Sequence, residues 1–210
     1  MSERKPVPQL FGRDLRSGDI LLEWNAGSFV HQAIRLGQKV MHRGTEEIIH
    51  AGILFDNRYL IESDKNGISA NDVYLQDKGY SFTVYRPKNS SIAAGAATCA
   101  KVFMDIHART GGMPYSIGGA VSSIFRSPGS APSASAMDAA FAELIKGKNH
   151  PFFCSQFVTF VFQFVAEQNN MVAGRMFPFA DQAVPPSQLA AALKRHSMFV
   201  EAGYLLANQR

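Results

Sequence analysis

Cys154 and His50 are the residue types from which a nucleophile and its base are made, and each occupies a suggestive place in the sequence. Cys154 follows His150-Pro151-Phe152-Phe153 and begins a strongly apolar stretch that continues to about Gln168. That stretch reads as a helix opened by Pro151, so the thiol falls in its first turn. Free backbone N–H groups and the positive end of the helix dipole lie there, and both favour a thiolate. The same N–H groups can hold the oxyanion of an attacked carbonyl. The second cysteine, Cys99, sits mid-helix in Ala-Thr-Cys-Ala-Lys and reads as a small buried hydrophobe. Without a CxxC pair, two thiols make neither a disulfide scaffold nor a zinc site.

His50 lies in the clearest β signal of the chain. Ile48 to Phe55 and Tyr59 to Glu62 are β-rich runs separated by Asp56-Asn57-Arg58, a good hairpin loop. With a three-residue loop, Phe55 pairs with Tyr59, Gly52 faces Glu62, and His50 is diagonal to Glu62 on the same face. Such diagonal positions are about 7–8 Å apart, within reach of an imidazole and a long carboxylate. A two-residue loop would put them on opposite faces. Gly52, having no side chain, is expected to leave the space between them open. A carboxylate beside a histidine fixes its tautomer and stabilises the imidazolium. A strand histidine is more often structural, so the hairpin alone leaves both readings open.

The remaining candidates are weaker. His150 is an alternative base, although Pro151 breaks any helical stacking with Cys154. His31, His42 and His107 show no metal-ligand spacing such as HExxH, and His196 ends a helix. Tyr115, after Pro114, reads either as a hydrogen-bonding group near the substrate or as packing. Trp24 reads as core.

These side chains need elements to hold them. Residues 1–16 form a polar lead-in, and Ser17-Gly18-Asp19 is a turn that opens a buried strand at Ile20 to Trp24. Phe29 to Met41 has helical spacing with Ser28 as its cap. A strand at Phe82 to Tyr85 is stopped by Pro87, and a helix from Ala93 to Thr110 ends at Gly111-Gly112. Residues 126–136 form a Ser/Ala/Pro-rich surface loop, extra enough to lie over a cleft as a lid. A short helix from Asp138 to Lys146 precedes the Cys154 helix. A final helix spans Ser187 to Arg195. Strands first, with helices flanking and following, imply an α+β fold around a small antiparallel sheet.

Composition sets outer limits. Of the 210 residues 46% are hydrophobic and 18% charged, which suits one globular domain over residues 17–210. The net charge of +4 is scattered rather than clustered, so no nucleic-acid partner is expected. No stretch approaches the roughly 18 uninterrupted apolar residues of a membrane span, so no stable membrane insertion is expected. The first residues lack the apolar core of a secretory signal, which leaves a chain made in the cytoplasm and, if exported, carried by a specialised route.

Taken in order, the pieces resemble the permuted branch of the NlpC/P60 papain-like superfamily, which includes the YiiX-like hydrolases and the lecithin:retinol acyltransferase relatives. Gly18-Asp19-Ile20-Leu21-Leu22 looks like the opening Gly-Asp strand, His50-Ala51-Gly52-Ile53 like the His strand, and Ile61-Glu62-Ser63 like the strand with the third polar residue. Gly67-Ile68 and Val84-Tyr85-Arg86 fit the following strands. Pro114-Tyr115 resembles the aromatic segment before the nucleophile, Phe153-Cys154-Ser155-Gln156-Phe157-Val158 the nucleophile helix, and Val184-Pro185-Pro186-Ser187-Gln188-Leu189 the closing helix. The unpermuted order, Cys before His, does not fit, because only His196 follows Cys154. One departure is Gln156, where the family often has an acidic residue.

The resemblance implies a circularly permuted papain-like fold and a cysteine hydrolase, with Cys154 as nucleophile, His50 as base and Glu62 orienting it. Tyr115 is the candidate substrate contact, and neither metal nor cofactor is implied. The implied substrates are amide bonds, in a bacterial member the peptide stems of peptidoglycan. A secreted antibacterial toxin, with a secretion-machine carrier and an immunity protein as partners, fits that analogy. Two alternatives stay open: a lipid acyl hydrolase or acyltransferase using the same site, and a non-catalytic binding module.

Overall fold

The computed structural model describes residues 7–25, 48–64, 67–75, 80–110, 153–169, 176–177 and 186–206. The helices expected over 29–41 and 138–146, the 126–136 loop and Tyr115 lie outside the described residues. In chain order the strands are β1 (Gln9–Leu10), β2 (Ile20–Asn25), β3 (Ile48–Phe55), β4 (Tyr59–Asp64), β5 (Gly67–Asp72), β6 (Tyr80–Pro87) and β7 (Phe199–Leu205). The helices are α1 (Ser90–Thr110), α2 (Phe153–Gln168) and α3 (Pro186–Arg195), and a 3-10 turn spans Gly12–Asp14. The fold is α+β, with one seven-stranded sheet in the order β1-β7-β6-β2-β3-β4-β5.

The expected small antiparallel sheet is larger and mixed. Every neighbouring pair is antiparallel except β1 and β7, which run parallel with Gln9 beside Tyr204. The segment read as a lead-in therefore supplies a strand, and Leu10 and Leu15 are buried in the core. The chain also does not finish with the helix at Arg195. After it, β7 pairs along β6. The helix expected from Ala93 begins at Ser90, because the Asn89 side chain accepts from the N–H groups of Ser91 and Ile92 at 2.8 and 3.1 Å.

Alternation along the strands builds two cores. On one face Ile20, Leu22, Ala51, Ile53 and Ile61 pack against α1, α2 and α3. On the other, Leu21, Leu54, Leu60, Phe82 and Val84 meet Leu10, Leu15 and Leu205. Helix α2 has no polar face to give to water. From Cys154 to Ala166 every residue is buried, and Phe157 and Phe160 meet the Phe103 ring of α1 at 6.3 and 5.9 Å between centroids. This is the fully wrapped central helix that its apolar composition implies. It packs on β3 and β4, the hairpin that carries His50 and Glu62.

The Gly18-Asp19 turn ties the sheet together. Gly18 has a φ of +88°, and a Cβ there would fall 2.3 Å from the Ala93 carbonyl oxygen, so only glycine fits. Its N–H donates to the Leu54 carbonyl at 2.8 Å. Buried Asp19 takes two bonds from Arg86, 2.8 Å from Nε and 2.6 Å from Nη2. That pairing holds the Arg86 guanidinium above its ordinary pKa, against the pull of partial burial. Two widely separated pieces of the family-like pattern, Gly18-Asp19 and Val84-Tyr85-Arg86, thus form one fork-shaped ion pair.

Candidate active site

The hairpin has the register expected of a three-residue loop. Phe55 pairs with Tyr59, and Gly52 with Glu62. Asp56 and Asn57 adopt φ of 53° and 55°, a left-handed conformation that these two residue types tolerate better than most. The loop is pinned from outside, since Asn57 Oδ1 accepts from the Ser17 N–H at 2.6 Å.

His50 and Glu62 meet as that register requires, with Nε2 3.0 Å from Oε2. Only 21% of the imidazole and 9% of the carboxylate are exposed, so water screens the pair weakly. The carboxylate raises the pKa of the imidazole through both hydrogen bonding and charge. Gly52 does not leave the gap open as expected. A Cβ there would lie 2.7 Å from Leu60 Cδ1 and 2.9 Å from the Ile61 carbonyl oxygen, so the space belongs to β4. The glycine lets two strands close up behind the site.

The thiol completes the group. Cys154 is the second residue of α2, where the helix N–H groups have no intrahelical acceptor, and its side chain is 2% exposed. Its thiol is close enough to the His50 ring to raise the pKa of the imidazole through hydrogen bonding and charge. Burial pulls the imidazolium pKa down, but the contacts with Cys154 and Glu62, and their negative charge, more than offset it. The result is a ring whose pKa rises from 6.5 to about 11. Cys99 is the contrast: it is fully buried on α1, and its thiol is pushed well up by desolvation alone.

Two neighbours were not foreseen. Asn71 of β5 donates from Nδ2 to Glu62 Oε1. Its signal is positional only: Glu62 faces Ser69, so Asn71 is the next same-face residue. The β2–β3 ladder also slips beside His50, with Glu23 facing His50 but Trp24 facing Ile48, which leaves Ile49 as an extra residue. Bulges of this kind re-aim side chains next to functional groups.

The other candidates separate cleanly. His196 is structural, its Nδ1 accepting from the Met198 N–H at 3.2 Å and its Nε2 3.0 Å from the Met176 carbonyl. Trp24 is core, at 1% exposure. His107 ends α1 with its ring against Gly67. His150, His31 and His42 lie outside the described residues, as does Tyr115. Gln156 is buried one turn into α2. Among the described residues no three His, Cys, Asp or Glu side chains form a metal-binding group, and no helix is long and apolar enough to cross a membrane.

The chain matches no family model, no curated protein and no solved structure. The reading of the site therefore rests on its own features: a helix-start thiol, an imidazole whose pKa is raised, and a carboxylate 3.0 Å from it.

Proposed function

We propose that this chain is a cysteine hydrolase of the permuted papain-like kind, with Cys154 as nucleophile, His50 as proton carrier and Glu62 as its orienting carboxylate. The single observation that carries the reading is His50 set 3.0 Å from Glu62, with Cys154 and Glu62 together raising its pKa to about 11. A resting imidazolium beside sulfur favours the thiolate, the form that attacks. In the reaction the thiolate adds to an acyl carbon, and helix-start N–H groups take the oxyanion. His50 then gives its proton to the leaving amine. Water adds to the thioester with His50 as base, releasing the acid and restoring the pair.

The substrate class is an amide, and for a wall-degrading enzyme the peptide stem of peptidoglycan. A toxin carried by a secretion machine and restrained by an immunity protein is the biological setting the family resemblance suggests. The coupling between Cys154 and His50 supports a catalytic site over a module that keeps only the fold. The test incubates wild type and Cys154→Ala with purified peptidoglycan and, separately, with acyl-ester lipids, and identifies products by mass spectrometry. Released stem peptides that vanish with Cys154→Ala support the reading. Cleavage that survives the substitution sinks it, and release of fatty acid alone moves the substrate to lipid.

A further inference from the structure

Glu62 occupies the middle of a diagonal that crosses three adjacent strands. It faces Gly52 on β3 and Ser69 on β5. His50 stands two residues before Gly52, toward the Asp64 end of β4, and Asn71 two residues after Ser69, opposite Leu60. The two neighbours therefore approach the carboxylate from opposite ends, each from the kind of diagonal position that suits long side chains. Each also takes a different oxygen: Asn71 Nδ2 donates to Oε1, and His50 Nε2 lies 3.0 Å from Oε2.

We propose that Asn71 is a positioning residue that fixes the rotation of the Glu62 carboxylate and so keeps Oε2 turned to His50. The proposal rests on Cys154, His50 and Glu62 being the reactive group. Chemistry favours an amide in this role. A glutamate has three side-chain torsions, and the Asn71 bond to Oε1 gives the carboxylate a second anchor besides its contact with His50. A Lys or Arg at position 71 would hold Oε1 too, but would compete with His50 for the carboxylate's charge. A neutral N–H donor supplies direction, favours the ionised carboxylate and leaves its charge for the imidazolium.

The test compares wild type with Asn71→Ala, Asn71→Ser and Glu62→Gln in the full chain. Two readouts need no substrate: the pH titration of the His50 ring by NMR, and the rate of Cys154 alkylation by iodoacetamide against pH. Asn71→Ala is expected to lower the His50 pKa by one unit or more, which is about a tenfold change in the protonation ratio. The alkylation profile should move with it. The double variant Asn71→Ala/Glu62→Gln should titrate like Glu62→Gln, because the two act through one group. Asn71→Ser, which keeps a small polar group, carries the same comparison if the alanine variant does not fold. An unchanged His50 titration in a folded variant, with only the unfolding midpoint lowered, makes Asn71 structural and overturns the proposal, as does additivity in the double variant. A wild type that cleaves neither peptidoglycan nor lipid counts against the proposed function and leaves the titration comparison decisive for Asn71.

Discussion

Glu62 stands directly across the β3–β4 ladder from Gly52, and this pairing places its carboxylate 3.0 Å from His50. The pairing depends on the loop having three residues, Asp56, Asn57 and Arg58, between Phe55 and Tyr59. Strand alternation has period two, so shortening the loop by one residue turns every β4 side chain to the opposite face. Deletion of Asn57 is thus expected to separate His50 from Glu62 while leaving most secondary structure in place. Circular dichroism should stay near wild type. Hydrolysis should fall by about a hundredfold, the low end for loss of an effective general base. Retained activity with an unshifted His50 titration would show that the hairpin register does not pair the two residues.

The two cysteines should differ sharply in reactivity. Cys154 adjoins a charged imidazole at a helix start, whereas Cys99 is fully buried with its pKa raised by desolvation. Limited treatment with iodoacetamide at neutral pH, followed by peptide mass spectrometry, is expected to label Cys154 and leave Cys99 intact. His50→Ala should slow the labelling of Cys154 by about tenfold or more, because the positively charged neighbour of the sulfur is gone. Preferential labelling of Cys99 in folded protein would contradict the assignment of the reactive thiol.

The pH dependence follows from the direction of the His50 shift. Burial alone would lower its pKa, so the rise to about 11 comes from its partners, and removing one must bring it down. The imidazolium in wild type survives through neutrality and is lost only as the pH nears 11. The alkaline limb of kcat/KM set by His50 should therefore lie far above neutrality, and Glu62→Gln should move it to lower pH. In the proposed role Glu62 orients and does not react, so this variant should keep more activity than His50→Ala at neutral pH. Equal and complete losses would give Glu62 a larger part than orientation.

What could be read without coordinates was whatever depends on short-range periodicity. The hairpin register follows from period two and a turn of residues that tolerate positive φ, and α2 follows from Pro151 and an apolar run too long for a strand. Strand β7 escaped because its alternation is broken: Val84 pairs with Gly203 but Tyr85 with Glu201, so Ala202 is an extra residue. Strand β1 is two residues long and carries no period at all. Asn71 was invisible for a related reason, since β5 is half-exposed along most of its length and shows no clean alternation. The Cys154–His50 contact is long-range, set by α2 packing on β3, and only the order of family-like pieces hinted at it.

The Asp19–Arg86 fork gives the last prediction, which concerns the frame rather than the chemistry. The Asp19 side chain is 1% exposed and its two oxygens are held by one guanidinium, while Oδ2 also accepts from the Arg16 N–H at 2.8 Å. Arg86→Leu would leave a buried carboxylate with one donor, a loss expected to cost about 3 kcal/mol, the lower end for breaking a buried pair because Arg86 is partly exposed. Arg86→Lys keeps the charge but not the fork, and should cost less. Replacing both partners, Asp19→Asn with Arg86→Leu, removes the stranded charge and should be milder than Arg86→Leu alone. Urea unfolding midpoints, with the slope of each transition checked for constancy, measure all three. If Arg86→Leu costs less than about 1 kcal/mol, the size of a single ordinary hydrogen bond, the fork is not what fixes β2 against β6.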